Sequence, residues 1–153
     1  MERYLNSAPR RIRILHVDDE PADLEITRLF LKRAGNADFE ISGVLSAEVA
    51  LAKLERDQDH FDVIISDYRM PVMDGLEFLE EVRKTVGGVP FILFSGMPEQ
   101  EIREVALNKG ADRYISKTGN PASQCNELAR AIRELVKERE EKEVSLSVKG
   151  GMR

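Results

Sequence analysis

The stretch "FDVIISDYRMPVMDGLEFL", residues 61–79, sets a run of pure hydrophobics against a polar, proline-kinked turn and then a helix-like pattern. Val63, Ile64 and Ile65 leave no polar alternation, as expected of a parallel strand covered on both faces. Leu76 and Leu79, with Val82 and Val86 beyond them, recur at helical spacing, and Asp74 with Gly75 is placed to cap that helix. A buried strand that hands over to an amphipathic helix is half of a strand–helix–strand unit. Asp67 stands at the hand-over.

The alternation continues in both directions. "IRILHV" (12–17), "FEISGVL" (39–45), "FDVIIS" (61–66), "PFILFS" (90–95) and "RYIS" (113–116) read as five strands. The second alternates Phe39, Ile41 and Gly43 with Glu40 and Ser42, which suits an edge. Between them lie apolar faces at helical spacing: Ala22, Ile26, Leu29 and Phe30; Ala47, Ala50, Leu51 and Leu54; Ile102, Val105 and Ala106; Leu128, Ala131, Ile132, Leu135 and Val136. Pro21 and Gly35 bound the first helix, and Ser46 is placed to cap the second. Five such alternations predict an α/β fold, a doubly wound parallel sheet with five helices on both faces.

In such sheets ligands bind outside the carboxyl ends of the strands. After the first strand come Asp18, Asp19 and Glu20; after the third, Asp67; after the fourth, Ser95; after the fifth, Lys117. Carboxylates brought together raise one another's proton affinity unless a cation intervenes. A hard divalent ion with oxygen ligands, Mg²⁺ or Mn²⁺, satisfies them, and a substrate phosphate completes its shell. Lys117 adds a mobile positive charge and Ser95 a hydroxyl donor. One carboxylate beside the metal can then attack phosphorus, so the pattern predicts phosphoryl transfer onto Asp.

Composition excludes several other classes. The 153 residues suit one domain with a short appendage, and a hydrophobic fraction of 42% can fill its core. Twenty-eight acids against 23 Lys and Arg give a net charge of −5, which argues against nucleic-acid binding. Arg3, Arg10, Arg11 and Arg13 read as a solvated entry to the first strand. The single cysteine, Cys125, forms neither an internal disulfide nor a thiolate cage. No apolar run reaches the roughly 20 residues of a membrane-spanning helix, and "MERYLNSAPRR" lacks a secretion h-region. The cytoplasm is the expected location. His16 and His60 lack partners at ligand spacing, Met70 and Met73 read as loop packing, and no G-x-x-x-x-G-K-[ST] loop occurs. "DYR" lacks the second acid of haloacid-dehalogenase-type phosphatases.

Taken together, "ILHVDDEP", "VIISDYRMPVMDGLEFL", "PFILFSG" and "KGADRYISK" resemble the receiver domain of two-component response regulators, in order and spacing, from about Arg11 to Val136. The resemblance implies the flavodoxin-like strand order 2-1-3-4-5. It implies Asp67 as phosphoacceptor, with Asp18, Asp19, Asp67 and the backbone carbonyl of Arg69 as metal ligands. Lys117 and Ser95 would contact the phosphoryl group, and Ser95 with Tyr114 would form a switch in which Tyr114 turns inward. Arg69 and Met97 would tune the lifetime of the phosphoryl group; a nonpolar Met97 cannot orient an attacking water, which predicts slow self-dephosphorylation. The implied partners are a sensor histidine kinase or phosphotransfer protein and a downstream protein, or a second copy, docking on the fourth helix, fifth strand and fifth helix. Such a domain catalyses only its own phosphorylation and dephosphorylation. A phosphorylation-independent docking or dimerisation module is the alternative.

One departure stands out: where the family usually has Pro after the lysine, Lys117 is followed by "TGNPASQCNEL", which predicts a loop about four residues longer than usual. The division expected is an N-terminal extension over 1–10, a receiver over 11–136 and a charged continuation of the last helix with a tail over 137–153. Val144, Leu146 and Val148 alternate, so a short partner-binding strand is the rival reading of that tail.

Overall fold

The computed structural model describes residues 11–35, 38–56 and 60–151, with side chains of the last helix described as far as Leu146. The N-terminal extension, with Arg3 and Arg10, lies outside the described residues. Strands β1 (Ile12–Val17), β2 (Phe39–Val44), β3 (Val63–Ser66), β4 (Phe91–Ser95) and β5 (Arg113–Ser116) form one parallel sheet in the order β2-β1-β3-β4-β5. This is the flavodoxin-like order, with β2 at an edge. Helices α1 (Pro21–Ala34), α2 (Ala47–Arg56), α3 (Gly75–Thr85), α4 (Glu99–Asn108) and α5 (Pro121–Gly151) connect and follow the strands.

Alternation along the strands feeds two cores. Leu15, Val17, Ile64, Phe91 and Leu93 pack with Ala50, Phe78, Leu79 and Ile102 of α2, α3 and α4. Ile14, Val63, Ile65, Ile92, Phe94 and Ile115 pack with Leu31 of α1 and with Leu128, Ile132 and Leu135 of α5. Each buried Val, Leu, Ile or Phe among them, taken from water, contributes about 1.5–3 kcal/mol. The register then fixes what stands above the sheet. Val17 pairs with Ser66, so Asp18 and Asp67 follow side by side, and Ser95 pairs with Ser116, so Lys117 comes next to them.

The helix starts follow local chemistry. Asp74 accepts from the Leu76 and Glu77 amides while Glu77 returns a bond to the Asp74 amide, a complete capping box for α3. Ser46 Oγ accepts from Val49 N at 3.2 Å, and Asn120 Oδ1 accepts from Ser123 N at 2.8 Å, with Pro121 as the first residue of α5. That last cap corrects the expected long loop. The extra residues after Lys117 become an added N-terminal stretch of α5, because Pro121 suits the first helical position and Asn120 caps the turn that follows.

Three further expectations change. In α1 the buried row is Thr27 and Leu31, with Leu24 and Ala34 half-buried, whereas Ile26 and Leu29 are 43% and 49% exposed. The helix carries two candidate stripes about one residue apart, and only seating against β2 and α5 chooses between them. Val105 in α4 is likewise exposed. The tail is helical through Gly151, so the strand reading of Val144 and Leu146 fails; both lie exposed on α5. The run "KEREEKE" (137–143) explains why: it supplies intrahelical pairs such as Arg139 with Glu143 at 3.6 Å.

At the opposite end of the sheet from the acids, Arg83 ties three segments together. Its guanidinium donates to the carbonyls of Gly87 and Val89 at 2.8 and 2.7 Å and of Gly110 at 2.8 Å, and it pairs with Asp112 at 3.2 Å. Gly110 has φ +112°, and a Cβ there would sit 3.2 Å from Arg83 Nε, so both the turn and the guanidinium require glycine. Arg83→Ala is expected to cost about 2–3 kcal/mol in urea denaturation. Arg83→Lys should recover less than half of that loss, since an ammonium cannot span the same carbonyls.

Candidate functional site

The carboxyl ends of β1, β3, β4 and β5 place Asp18, Asp67, Ser95 and Lys117 around one crevice. Asp18 is fully buried; it accepts from the Glu20 amide at 3.0 Å and from Lys117 Nζ at 3.1 Å. The same ammonium lies 3.5 Å from Asp67 Oδ2 and 3.8 Å from Asp23 Oδ2. It also lies over the Phe94 ring, with Nζ 5.2 Å from the centroid. Burial alone would lower the Lys117 pKa, but Asp67 and Asp18 outweigh it and hold the ammonium above its ordinary value.

Asp67 is held from its own backbone. Its amide donates to Val17 O at 3.0 Å, and its Oδ1 accepts from Tyr68 N at 2.7 Å. Behind it, a Cβ on Gly75 would overlap the Asp67 carbonyl oxygen and come within 2.9 Å of Tyr68 Cα, so only glycine lets α3 start there. The loop between them closes on a Gly75 N to Tyr68 O bond of 2.7 Å. Its crest is Val72, 91% exposed with φ +72°, where Met73 N donates to Pro71 O at 2.8 Å. This is the rare, strained form of γ-turn, here on a β-branched residue. Met70 and Met73 pack into the core under the loop, as expected of them.

Asp18, Asp19 and Asp67 each offer a carboxylate oxygen, and these atoms all lie within 4.8 Å of one another. Asp18, Asp67 and Asp23 lie within 3.8 Å of the Lys117 ammonium, and Asp19 adds a fourth carboxylate to the cluster. An all-oxygen donor set with excess negative charge fits a hard divalent cation.

Met97 joins the crevice to β5. Its amide donates to Ser95 Oγ at 3.1 Å, its carbonyl accepts from Tyr114 Oη at 2.7 Å, and its sulfur receives Arg69 Nε and Nη2 at 3.3 Å each. Tyr114 is therefore already turned inward, 6% exposed, and burial holds its phenol pKa up, with Ser95 opposing. All the residues named from the sequence thus gather at one end of the sheet. Asp23 and Phe94 were missed. Asp23 in the first turn of α1 and Phe94 in β4 carry no signal of their own in the sequence, and their places beside the ammonium appear only once the Lys117 side chain is set.

Residues 14–133 match the family model of the response regulator receiver domain. The chain belongs to that family. Domains of this kind interact with histidine kinases or phosphotransfer proteins, bind Mg²⁺ at an acidic pocket, and are in general signalling modules rather than enzymes. The receiver is 36% identical over 118 residues to a protein-glutamate methylesterase/protein-glutamine glutaminase of Trichodesmium erythraeum (strain IMS101), covering 74% of this chain and 32% of the relative. It is 32% identical over 117 residues to the two-component response regulator ORR22 of Oryza sativa subsp. japonica, covering 76% of this chain and 16% of the relative. The chain thus spans under a third of the length of these relatives. Among solved structures, a CheY-like receiver domain protein from Methanospirillum hungatei JF-1 superposes with a TM-score of 0.69 at 34% identity, over 84% of this chain and 98% of that one. Among the described residues, no helix is long and apolar enough to cross a membrane.

Burial pushes the Asp67 carboxyl above its ordinary range; Lys117 opposes this and Asp18 adds to it. The folded receiver therefore holds that proton more tightly than the unfolded chain does. The associated stability is present at low pH and is lost as pH rises through the raised pKa. In metal-free buffer at pH 7, Asp67→Asn is expected to melt a few degrees above the parent, and Mg²⁺ should raise the melting temperature of the parent more than that of the variant.

Proposed function

We propose that this receiver accepts a phosphoryl group on Asp67 from a sensor histidine kinase or phosphotransfer protein and reports it by a change in protein–protein contact. The observation that supports this most is the position of Asp67: a half-buried carboxylate of raised proton affinity, 3.5 Å from an ammonium that is itself anchored on buried Asp18.

Asp18, Asp19, Asp67 and the backbone carbonyl of Arg69 would hold Mg²⁺ or Mn²⁺, which when bound neutralises charge on the phosphoryl oxygens. One Asp67 oxygen attacks phosphorus in line with the donor. The new P–O bond forms as the donor's P–N bond breaks, and the imidazole leaves with the electron pair. Lys117 takes up the negative charge gained on the phosphoryl oxygens, and Ser95 donates its hydroxyl to one of them. No external substrate is turned over.

The response runs through Met97. Ser95 holds its amide and Tyr114 its carbonyl, so a pull on the Ser95 hydroxyl acts, through the Met97 Cα, on the neighbouring peptide that keeps Tyr114 inward. Phosphorylation would raise the population of the state in which both are engaged. The face of α4, β5 and α5 carries that change to a downstream protein or a second copy. Residues 11–136 form the receiver unit in this reading, residues 1–10 and 137–153 its flanks, and the cytoplasm its setting.

Incubation with a small phosphodonor and Mg²⁺ is expected to add one phosphoryl group to the parent by intact mass, and none to Asp67→Asn. A parent that gains no mass would support a phosphorylation-independent docking or dimerisation module instead. Arg69 and Met97 stand over the path of the water that would remove the phosphoryl group. Met97→Glu supplies a carboxylate to orient that water and should shorten the phosphorylated lifetime at least severalfold, of the order a positioned base contributes; slower decay in the variant would exclude this role.

A further inference from the structure

The exposed Arg69 guanidinium turns one edge of its fork, Nε and Nη2, onto the Met97 sulfur, 3.3 Å from each. That edge suits an oxygen acceptor such as a carboxylate, yet among the described residues its side chain has no other hydrogen bond and no ion pair. A thioether is a weak acceptor, so a strong donor rests on a poor partner. Met70 is 8% exposed and Met73 packs against the core, and neither sulfur takes a hydrogen bond among the described residues. Met97 differs from both. It is half-buried in the loop after β4, with its amide on Ser95 and its carbonyl on Tyr114.

A peroxide changes that acceptor. A sulfur lone pair attacks one oxygen of hydrogen peroxide and the O–O bond breaks. The departing oxygen takes the proton of the transferred hydroxyl and leaves as water; sulfur gives up two electrons and the peroxide gains them. The product is a sulfoxide, polar and uncharged, so the charge of the crevice is unaltered. Its oxygen is a far better acceptor than the thioether, and the unbranched methionine chain is free to swing it onto Nε and Nη2. The resulting charge-assisted bond ties the loop after β3 to the loop after β4. An unengaged sulfoxide oxygen would accept from an attacking water and speed hydrolysis; one held by Arg69 is not available for that.

We propose that Met97 is a site of reversible oxidation by peroxide, and that its sulfoxide clasps the Arg69 guanidinium and slows loss of the phosphoryl group. The effect on lifetime rests on the reading of Asp67 as phosphoacceptor, in which Arg69 and Met97 stand over the path of the water. The clasp itself does not. A methionine sulfoxide reductase, drawing its electrons from a thiol, removes the oxygen as water and restores the thioether.

The full chain, Met97→Leu and Arg69→Ala are treated with dilute hydrogen peroxide, and oxygen gain at Met97 is followed by peptide mass. In the ¹⁵N-labelled, unphosphorylated parent, oxidation should slow solvent exchange of the Arg69 Nε–H roughly fivefold. It should leave that exchange unchanged in Met97→Leu, which keeps every other methionine. After phosphorylation by a small donor, the oxidised parent should hold its phosphoryl group roughly fivefold longer than the untreated parent, and reductase treatment should reverse this. Oxidised Arg69→Ala, which keeps the backbone carbonyl, should show no lengthening. The proposal is overturned if Met97 gains no oxygen, if Arg69 Nε–H exchange or phosphoryl lifetime is the same in the oxidised and untreated parent, or if the lengthening survives in either variant. A parent that gains no phosphoryl group at all refutes the phosphoacceptor reading instead, and the Arg69 exchange still decides the clasp.

Discussion

One ammonium among four carboxylates governs the upper end of this sheet. Asp18 has no access to water, and a buried charge without a partner is far more costly than a paired one; Lys117 is the partner the structure gives it. The lysine cannot hold Asp18 and also neutralise Asp67, Asp23 and Asp19. The crevice therefore carries unspent negative charge in a partly desolvated place, where electrostatic interactions are strong. Everything that binds there does so against that imbalance, and the rest of the fold serves to maintain it: register sets Asp18 beside Asp67, Gly75 lets α3 begin against the Asp67 backbone, and the Phe94 ring faces the ammonium.

Rigidity on the β3 side contrasts with the β4 side. The loop after Asp67 is closed by the Gly75–Tyr68 bond, a capping box and a strained turn at Val72, and two methionines are driven into the core beneath it. Beyond Ser95, position is instead set by hydrogen bonds that converge on one residue, Met97, and by a thioether contact to Arg69, a weak acceptor for a strong donor. A fixed wall facing an adjustable one is the arrangement a two-state element requires.

Much of this was legible in the sequence, for reasons that can be named. Unbroken Val63-Ile64-Ile65 admits only a strand buried on both faces, and acids after two strands, a serine after a third and a lysine after a fourth point to one edge once the sheet is parallel. Asp74 and Ser46 were readable as caps because N-capping is a local reaction between a side chain and the next amides. What stayed hidden depends on three-dimensional choice. The stripe through Ile26 and Leu29 is as apolar as the one through Leu24 and Leu31, and periodicity does not rank them. Alternation at Val144 and Leu146 looks like a strand until the intrahelical charge pairs of the preceding turns are counted. The inward setting of Tyr114 depends on a carbonyl seventeen residues away in sequence.

The length of α5 has a mechanical consequence. Its 31 residues outrun the sheet they pack on, and the part beyond Val136 reaches about 22 Å at 1.5 Å per residue. A tilt at the packed base of roughly 5° carries the far end sideways by about 2 Å over that length. That base packs on the face of the sheet away from Tyr114, beside His60 and Phe61 at the far end from Ser95. Any tilt at that base would appear at the tip as displacement, by an amount set by the length of the helix.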